Sequence, residues 1–208
     1  MTIKIDLHNH TTFSSKCSIL SAKELIAACQ SAGFAAVCVT EHNTMRGAHL
    51  SVELGRGMGF TVIPGQEVTT ADGDMLVFGV EEEGLEGITV DALCVLARER
   101  GGVLIPAHPY RTSAFSLGDK VMEHKGCFAA LEGLNGNCGK TENRRAQDTA
   151  KKLGLPCTGG SDAHSVKMAA KYFTTFETDI PIIDSAGLIE ALKKGNFSAG
   201  MIDVRSGS

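Results

Sequence analysis

Short runs of apolar and β-branched residues alternate along this chain with segments of helical periodicity. The apolar runs predict strands, and the periodic segments predict helices. Predicted strands cover residues 3–7, 36–40, 60–64, 75–81, 103–106, 128–131, 155–159 and 172–177. Predicted helices cover residues 21–32, 45–57, 90–100, 141–153 and 185–194.

Polar residues and glycines mark the ends of these helices. Ser21 and Glu24 form a capping-box sequence at the start of the first helix, and Gly33 ends it. Asp184 is the predicted N-cap of the last helix. Residues 109–119 carry neither periodicity, which predicts an irregular loop after the fifth strand.

This regular alternation is typical of βαβ units, in which helices cover a parallel sheet. A doubly wound open sheet alternates in the same way but gathers its functional residues at one switch point. Here the candidate residues follow five different strands, as they do in TIM barrels. We therefore predict one α/β domain over residues 1–208, a distorted TIM-like barrel with its site at the C-terminal ends of the strands.

The composition narrows the class of protein. The 208 residues suit one compact domain, and 43% hydrophobic with 21% charged residues is ordinary for a soluble protein. No apolar stretch reaches the roughly 20 residues of a membrane span, and the N-terminus has no signal-peptide pattern, so we expect a cytoplasmic protein. The net charge of −4 disfavours long nucleic acids as substrates, whereas short oligonucleotides remain open.

The seven cysteines form no Cys-x-x-Cys pair, and their number is odd. Without a secretion signal, this pattern predicts reduced thiols rather than a disulfide framework. Cys94 lies in an apolar helical pattern and is expected to be a small core residue. Cys17 and Cys138 lie in predicted loops and are the better candidates for reactivity.

Histidines and carboxylates follow the predicted strands in five blocks. These blocks are Asp6-Leu-His8-Asn-His10, Thr40-Glu41-His42-Asn43, Pro64-Gly-Gln-Glu67, Pro106-Ala-His108-Pro109 and Gly160-Ser-Asp162-Ala-His164. Residues at i and i+2 of an extended segment point to the same side, so His8 and His10 can reach one ion. Asp162 and His164 repeat this spacing, and a carboxylate at Glu67 can bridge two cations. The strand ends of a barrel meet at one rim, so the blocks predict a multinuclear metal site.

Each block taken alone also has a structural explanation. Asp162 could cap a helix, Glu41 and His42 could open the second helix, and Glu67 could be a solvated turn residue. These explanations must be invoked separately, whereas one metal site explains all five blocks together.

Three further polar residues fall outside the predicted ligand set. His49 and His124 lack a neighbouring block and are expected on helix surfaces. Asp6 points to the side of its strand opposite to His8, so it is expected to support the site rather than to bind metal.

In their order along the chain, the five blocks resemble the successive motifs of the PHP (polymerase and histidinol phosphatase) family. The resemblance covers about residues 3–165, and five short motifs in register are specific although each alone is not. It implies a distorted (β/α)7 barrel, two or three divalent metal ions and hydrolysis of phosphoesters. A ligand set of nitrogen and oxygen atoms suits Mn²⁺, Zn²⁺ or Fe²⁺.

The same resemblance implies which residues hold the first metal. These residues are His8, His10, Glu67 and Asp162.

The resemblance also implies ligands for two further metals. Glu67 would bridge to a second metal that also takes His108. His42 and His164 would hold a third, with Glu41 either a ligand or a carboxylate that supports His42.

Two segments depart from the family pattern. Many members carry an acidic residue or a histidine shortly after the first motif, where this chain has residues 13–16, Phe-Ser-Ser-Lys. Small family phosphoesterases often carry another histidine after Glu67, and residues 74–79 contain none. We therefore expect the second and third metals to be loosely held, or one of them to be absent.

The working hypothesis is hydrolysis of a small phosphorylated metabolite, nucleotide or short oligonucleotide by a hydroxide shared between two metals. Arg111, three residues after His108, is the candidate phosphate clamp, and Lys16 is a weaker one. His164 or His108 could protonate the leaving group. The residues expected to take part in catalysis are Glu67, His108, Asp162, His164 and Arg111.

Two other functions remain open on the sequence. The same kind of site could hydrolyse amides or lactones, as amidohydrolases do. Alternatively, the chain could be a catalytically silent barrel that binds metal for stability or serves a protein partner of unknown kind. Hydrolysis of a phosphate ester but not of an amide would favour the working hypothesis over amidohydrolase chemistry.

Overall fold

The computed structural model of the chain describes residues 1–202, and residues 203–208 of the predicted domain lie outside this range. The strands are β1 Thr2–Asp6, β2 Ala36–His42, β3 Thr61–Thr69, β4 Asp74–Phe78, β5 Val103–Pro106, β6 Leu131–Asn135, β7 Cys157–Gly160, β8 Tyr172–Glu177 and β9 Phe197–Met201. The α-helices are α1 Ala22–Ser31, α2 Arg46–Met58, α3 Val90–Glu99, α4 Lys140–Leu153 and α5 Ser185–Lys194. None of the helices in the described range is long and apolar enough to cross a bilayer.

The helix ends follow from local sequence, as predicted. The Ser21 hydroxyl accepts a hydrogen bond from the Glu24 amide, and the Glu24 carboxylate accepts one from the Ser21 amide at 3.0 Å. Asp184 caps α5 by accepting from the Gly187 amide at 2.8 Å. These contacts satisfy amides that the first turn of a helix leaves unpaired.

The first seven strands form a closed ring. One sheet runs in the order β5-β4-β3-β2-β1 and continues into β8 and β9, while β6 and β7 pair with each other. A bridge between Leu104 and Phe128 joins β5 to the chain entering β6, and a bridge between Asn9 and Ala163 joins the ends of β1 and β7. The prediction of a distorted TIM-like barrel is confirmed.

The prediction of a parallel sheet holds for the pairs β1–β2, β2–β3 and β6–β7 and is wrong for β4 and β8. β4 pairs antiparallel with both β3 and β5, and β8 runs antiparallel to β1. Residues 70–73 connect β3 to β4 by a turn that leaves no room for a crossover helix, so β4 must run back beside β3. The alternation of apolar runs and helical segments does not specify the direction of a strand. β9 was not predicted from the sequence.

The ring is filled by apolar side chains below the predicted site. Ile5 of β1, Ile63 of β3, Leu76 and Phe78 of β4 and Ile105 of β5 are fully buried in one cluster. The helices pack outside and contribute two further clusters. Below the rim the barrel is therefore a solid core, and the polar cluster lies at its open end.

One expectation about the cysteines is wrong. Cys94 of α3 and Cys127 are joined in a disulfide, with their Cα atoms 5.4 Å apart. The pairing arises because α3 packs against the turn that precedes β6, a tertiary contact that the spacing of cysteines does not reveal. Cys17, Cys29, Cys38, Cys138 and Cys157 are free thiols.

Candidate metal centre

The five predicted blocks meet at one end of the ring. His8 and His10 follow β1, His42 ends β2, Glu67 lies in the last third of β3, and His108 follows β5. Asp162 and His164 follow β7. Most of these side chains are buried, and His42 and His164 are the more exposed ones, at 38% and 23%.

The ligands implied for the first metal point their donor atoms at one another. The Nε2 atoms of His8 and His10 are 3.1 Å apart. Asp162 Oδ1 lies 3.6 Å from His8 Nε2 and 3.3 Å from His10 Nε2. Metal–nitrogen bonds of about 2 Å place two ligands of one tetrahedral ion roughly 3.3 Å apart. The separations therefore match atoms that share an ion.

Glu67 lies at the centre of the cluster and contacts four imidazoles. One carboxylate oxygen is 3.5 Å from His8 Nε2 and 2.8 Å from His108 Nε2. The other is 3.2 Å from His10 Nε2 and 2.9 Å from His42 Nδ1. The two oxygens thus face different pairs of histidines, which is the arrangement that a bridging carboxylate requires.

Three groupings of donor atoms are compact enough to hold an ion. These groupings are His8–His10–Asp162, His8–Glu67–His108 and His10–His42–His164. His8 and His10 are each shared between two groupings. The implied sets are different in placing Glu67 with the first metal as well as the second, and in leaving His8 out of the second set and His10 out of the third.

The electrostatics keep the carboxylates charged. Burial alone would raise the pKa of Glu67, but the imidazoles of His8, His10, His108 and His42 hold it well below its usual value. The pKa of Asp162 is likewise lowered, because His8 and His10 outweigh its burial. Both side chains are therefore in the form that binds cations.

Two of the candidate ligands have unusual backbone conformations. His108 has a φ of 31° and Asp162 a φ of 49°, in the region that favours glycine. A non-glycine residue held there costs on the order of 1–3 kcal/mol, which is typical of functional sites. Each residue lies two positions after the end of a strand, β5 for His108 and β7 for Asp162.

Glu41 lies beside the cluster but not in its groupings. Its carboxylate accepts hydrogen bonds from the amide and hydroxyl of Thr11 and from the hydroxyl of Ser15. Gly47 is required next to it, since a Cβ there would lie 2.7 Å from Glu41 Oε1. These contacts hold the loop after β1, a role that differs from the two left open for Glu41, metal ligation and support of His42.

Arg111 reaches the cluster from the irregular loop after β5. Its Nη1 donates to Asp162 Oδ2 at 2.8 Å, and its Nε donates to Ser113 at 3.2 Å. The side chain is 21% exposed, so part of the guanidinium faces the open rim. Lys16, the weaker candidate, is exposed.

The histidines predicted on helix surfaces lie away from the centre. His49 is on α2 and pairs with Glu81, and His124 pairs with Asp91. Neither belongs to a grouping of donor atoms in the described residues.

Buried polar residues that were not predicted from the sequence surround the ligands. Glu132 of β6 contacts both His8 and His108, and Asn135 contacts both Glu132 and Asp162. Ser15 lies within the segment that departs from the family pattern, 3.4 Å from His10 Nδ1. Glu132 directly follows an apolar run, so the rule that found the other blocks would have found it on β6 as well.

Two further buried carboxylates flank the cluster. Asp6 accepts from the Ser161 amide at 2.9 Å and the His8 amide at 3.3 Å, and burial raises its pKa to about 7. Asp74 pairs in register with Thr69 on β3, and burial together with the charge of Glu67 raises its pKa. The prediction that Asp6 supports the site agrees with these contacts.

Two family profiles match this chain. The PHP domain profile matches residues 6–116, and a PHP-associated profile matches residues 140–197. The chain belongs to the PHP family. The first profile contains His8 to His108, whereas Asp162 and His164 lie in the second, so the two matched regions contribute side chains to one cluster.

Similar proteins come from bacteria and archaea. An uncharacterized protein of Methanocaldococcus jannaschii is 27% identical over 58% of this chain and 76% of its own length. PsfC of Pseudomonas syringae superposes with a TM-score of 0.77 at 18% identity, over 97% of this chain and 92% of its own. At this identity, the likeness to PsfC shows a shared fold alone.

Two larger structures contain the same fold. A two-domain Bacteroides vulgatus protein containing a predicted PHP-like metal-dependent phosphoesterase has a TM-score of 0.77 at 20% identity, over 97% of this chain and 65% of its own. The lesion-specific endonuclease Q of Pyrococcus furiosus has a TM-score of 0.72 at 22% identity, over all of this chain and 60% of its own. At these identities the two likenesses show the fold alone, and the chain spans less than two thirds of either protein.

Proposed function

We propose that this PHP protein hydrolyses phosphoester bonds of a small phosphorylated substrate with the help of two or three divalent metal ions. The observation that carries the proposal is the convergence of imidazole and carboxylate donor atoms, 3.1–3.6 Å apart, around His8 and His10. A site of buried groups that face one another without a cation would be costly to fold.

The residues present fit the metals that the family implies. His8, His10, Glu67 and Asp162 would hold the first ion, and Glu67 would share a second with His108. Divalent ions held there would supply a water of lowered pKa and would neutralise charge on a phosphate. Nitrogen and oxygen donors suit Mn²⁺, Zn²⁺ or Fe²⁺.

His42 and His164 complete the third position and are proposed as ligands. The ring of His10 lies 4.2 Å from that of His42 and 4.5 Å from that of His164, centroid to centroid. Burial and the charge of His10 lower the pKa of His164, which leaves its imidazole neutral near neutral pH. A neutral imidazole suits ligation better than donation of a proton to the leaving group.

Arg111 is proposed to bind the phosphate of the substrate. Its guanidinium donates one hydrogen bond to Asp162 and one to Ser113. The remaining N–H groups of the guanidinium are available to a phosphate at the rim, beside the first metal position. The contact with Asp162 also fixes the guanidinium before substrate arrives, so little ordering is needed on binding.

Replacing Arg111 with alanine is expected to raise KM for a phosphate ester about 10- to 100-fold, because a hydrogen bond to a charged group contributes about 1.5–3 kcal/mol. Competitive inhibition by inorganic phosphate should weaken by a similar factor. Arg144→Ala, at an exposed Arg paired with Asp148, is the control. An unchanged phosphate inhibition constant, or a loss of metal parallel to the loss of activity, would exclude direct phosphate binding.

A substrate panel tests the proposed function. The protein is assayed after loading with Mn²⁺, Zn²⁺ or Fe²⁺ against phosphate monoesters, diesters, short oligonucleotides and an amide. We expect hydrolysis of at least one phosphoester class and none of the amide. Fewer than about one metal per chain together with no turnover would favour a silent barrel.

Amidohydrolase chemistry is the second candidate, because an amidohydrolase of Chromobacterium violaceum superposes with a TM-score of 0.66 at 14% identity. Arg111 favours the phosphoester, since a guanidinium beside the metal positions is suited to phosphate. Turnover of the amide but of no phosphoester would reverse this order.

Long duplex DNA is disfavoured as a substrate. A structure of endonuclease Q holds a 27-mer duplex, and this chain covers 62% of that protein. The net charge of −4 gives the present chain little attraction for a polyanion. We propose that residues from both matched regions form one catalytic domain. Because the net charge argues only against long polyanions, short oligonucleotides are included in the substrate panel.

A further inference from the structure

We propose that Glu132 is a positioning residue that sets the orientation of two metal ligands at once, His8 and His108. The inference rests on the proposed metal site, but its test measures metal binding and ring protonation rather than turnover. Glu132 is 1% exposed and lies on β6, a strand from which the sequence analysis drew no site residue.

The first contact fixes the ring of His8. Glu132 Oε1 lies 3.1 Å from His8 Nδ1, while the opposite nitrogen, Nε2, faces His10, Glu67 and Asp162. A carboxylate at Nδ1 favours a proton on that nitrogen and leaves the Nε2 lone pair for a metal. The same hydrogen bond prevents the ring from flipping.

The second contact holds the main chain of His108. Glu132 Oε2 accepts from the His108 amide at 2.7 Å, at the residue whose φ of 31° is unfavourable. A charge-assisted hydrogen bond is strong enough to offset part of that cost. It keeps the backbone bent so that His108 Nε2 lies 2.8 Å from Glu67.

Neighbouring residues hold this carboxylate in position and leave space for it. Asn135 donates to Glu132 Oε2 at 3.0 Å and reaches Asp162 Oδ2 at 3.3 Å. A Cβ at Gly160 would lie 2.5 Å from the Cβ of His8 and 2.7 Å from Glu132 Oε1, so only glycine allows the approach. Glu132 itself contacts the nitrogen of His8 that faces away from the cluster, and it belongs to none of the described donor groupings.

Glu132→Gln tests the proposal because it keeps the shape and removes one acceptor. An amide cannot accept from both His8 Nδ1 and the His108 amide, so one of the two contacts becomes repulsive. We expect Zn²⁺ affinity, measured by chelator competition, to fall about 10- to 100-fold at the positions that use His8. The position formed by His10, His42 and His164 should lose less.

The controls separate positioning from general destabilisation. Glu86→Gln, at an exposed carboxylate outside the centre, should leave Zn²⁺ affinity within about threefold of the parent protein. Glu132→Asp, which keeps the charge, should recover part of the lost affinity. Parental affinity in Glu132→Gln, or an equal loss in Glu86→Gln, would overturn the inference.

A measurement on the unaltered protein covers the case in which the variants do not fold. In the Zn²⁺-loaded protein, nitrogen NMR should find His8 protonated at Nδ1 and metal-bound through Nε2. Binding through Nδ1, or an Nδ1 without its proton, would contradict the role of Glu132. A protein that binds Zn²⁺ as expected but hydrolyses no phosphoester would overturn the proposed function and leave this inference standing.

Discussion

Replacing Glu67 with glutamine is expected to remove at least one metal ion per chain and to lower kcat/KM for a phosphoester by more than about 100-fold. Loss of a residue that only orients a metal ligand lowers metal affinity or activity about 10- to 100-fold. Loss of a carboxylate placed between two ions should lower them further. Glutamine keeps the size of the side chain, but it removes the charge that faces all four imidazoles.

Metal analysis and steady-state kinetics of Glu67→Gln check this result side by side. Glu86→Gln, at an exposed position, is the matched control. The thermal unfolding of the metal-free variant reports whether the barrel still forms. Hydrolysis at the parental rate would refute the bridging role of Glu67, whereas loss of activity with full metal content would place its role in catalysis rather than in metal binding.

Asp6→Asn is expected to stabilise the metal-free protein at pH 8 but not at pH 4. Burial raises the pKa of Asp6 from 3.8 to about 7. As pH rises through this window, the unfolded chain loses the proton first, so the folded protein loses stability until about pH 7 and keeps that penalty above it. At 1.36 kcal/mol per pKa unit, the penalty is on the order of 4 kcal/mol.

The measurement is the difference in free energy of unfolding between Asp6→Asn and the parent protein, from urea titrations between pH 4 and pH 8. Other titrating groups contribute to both proteins and largely cancel in this difference. Asp179→Asn, at an exposed aspartate, should give a difference near zero throughout. A constant difference for Asp6→Asn over the whole range would mean that Asp6 does not titrate in this window.

Local sequence predicted the positions of the elements better than their directions. The strands at 103–106 and 172–177 coincide with β5 and β8, because apolar runs between turn residues report burial directly. The reversal of β4 could not be predicted in this way, since it depends on the short connection at residues 70–73. Strand direction is a property of the connections rather than of the strands.

The ligands could be predicted, and so could Glu132, whereas the other groups that hold the ligands could not. His8 and His10 stand out because histidines at i and i+2 after an apolar run are unusual. Asn135 and Ser15 are ordinary residues in sequence, and their roles follow only from packing that brings β6 and the loop after β1 together. The disulfide between Cys94 and Cys127 escaped prediction for the same reason.

The closure of the ring has a consequence for how this enzyme can change during evolution. The two joints that lack a full ladder, β5 to β6 and β7 to β1, are spanned by side chains of the centre: Glu132 bonds to the His108 amide, and Asp162 faces His8 and His10. Active-site residues usually reduce stability for the sake of chemistry. Here Glu132 and Asp162 also link neighbouring strands of the ring, so a substitution at either residue disturbs the closure of the barrel together with the metal centre.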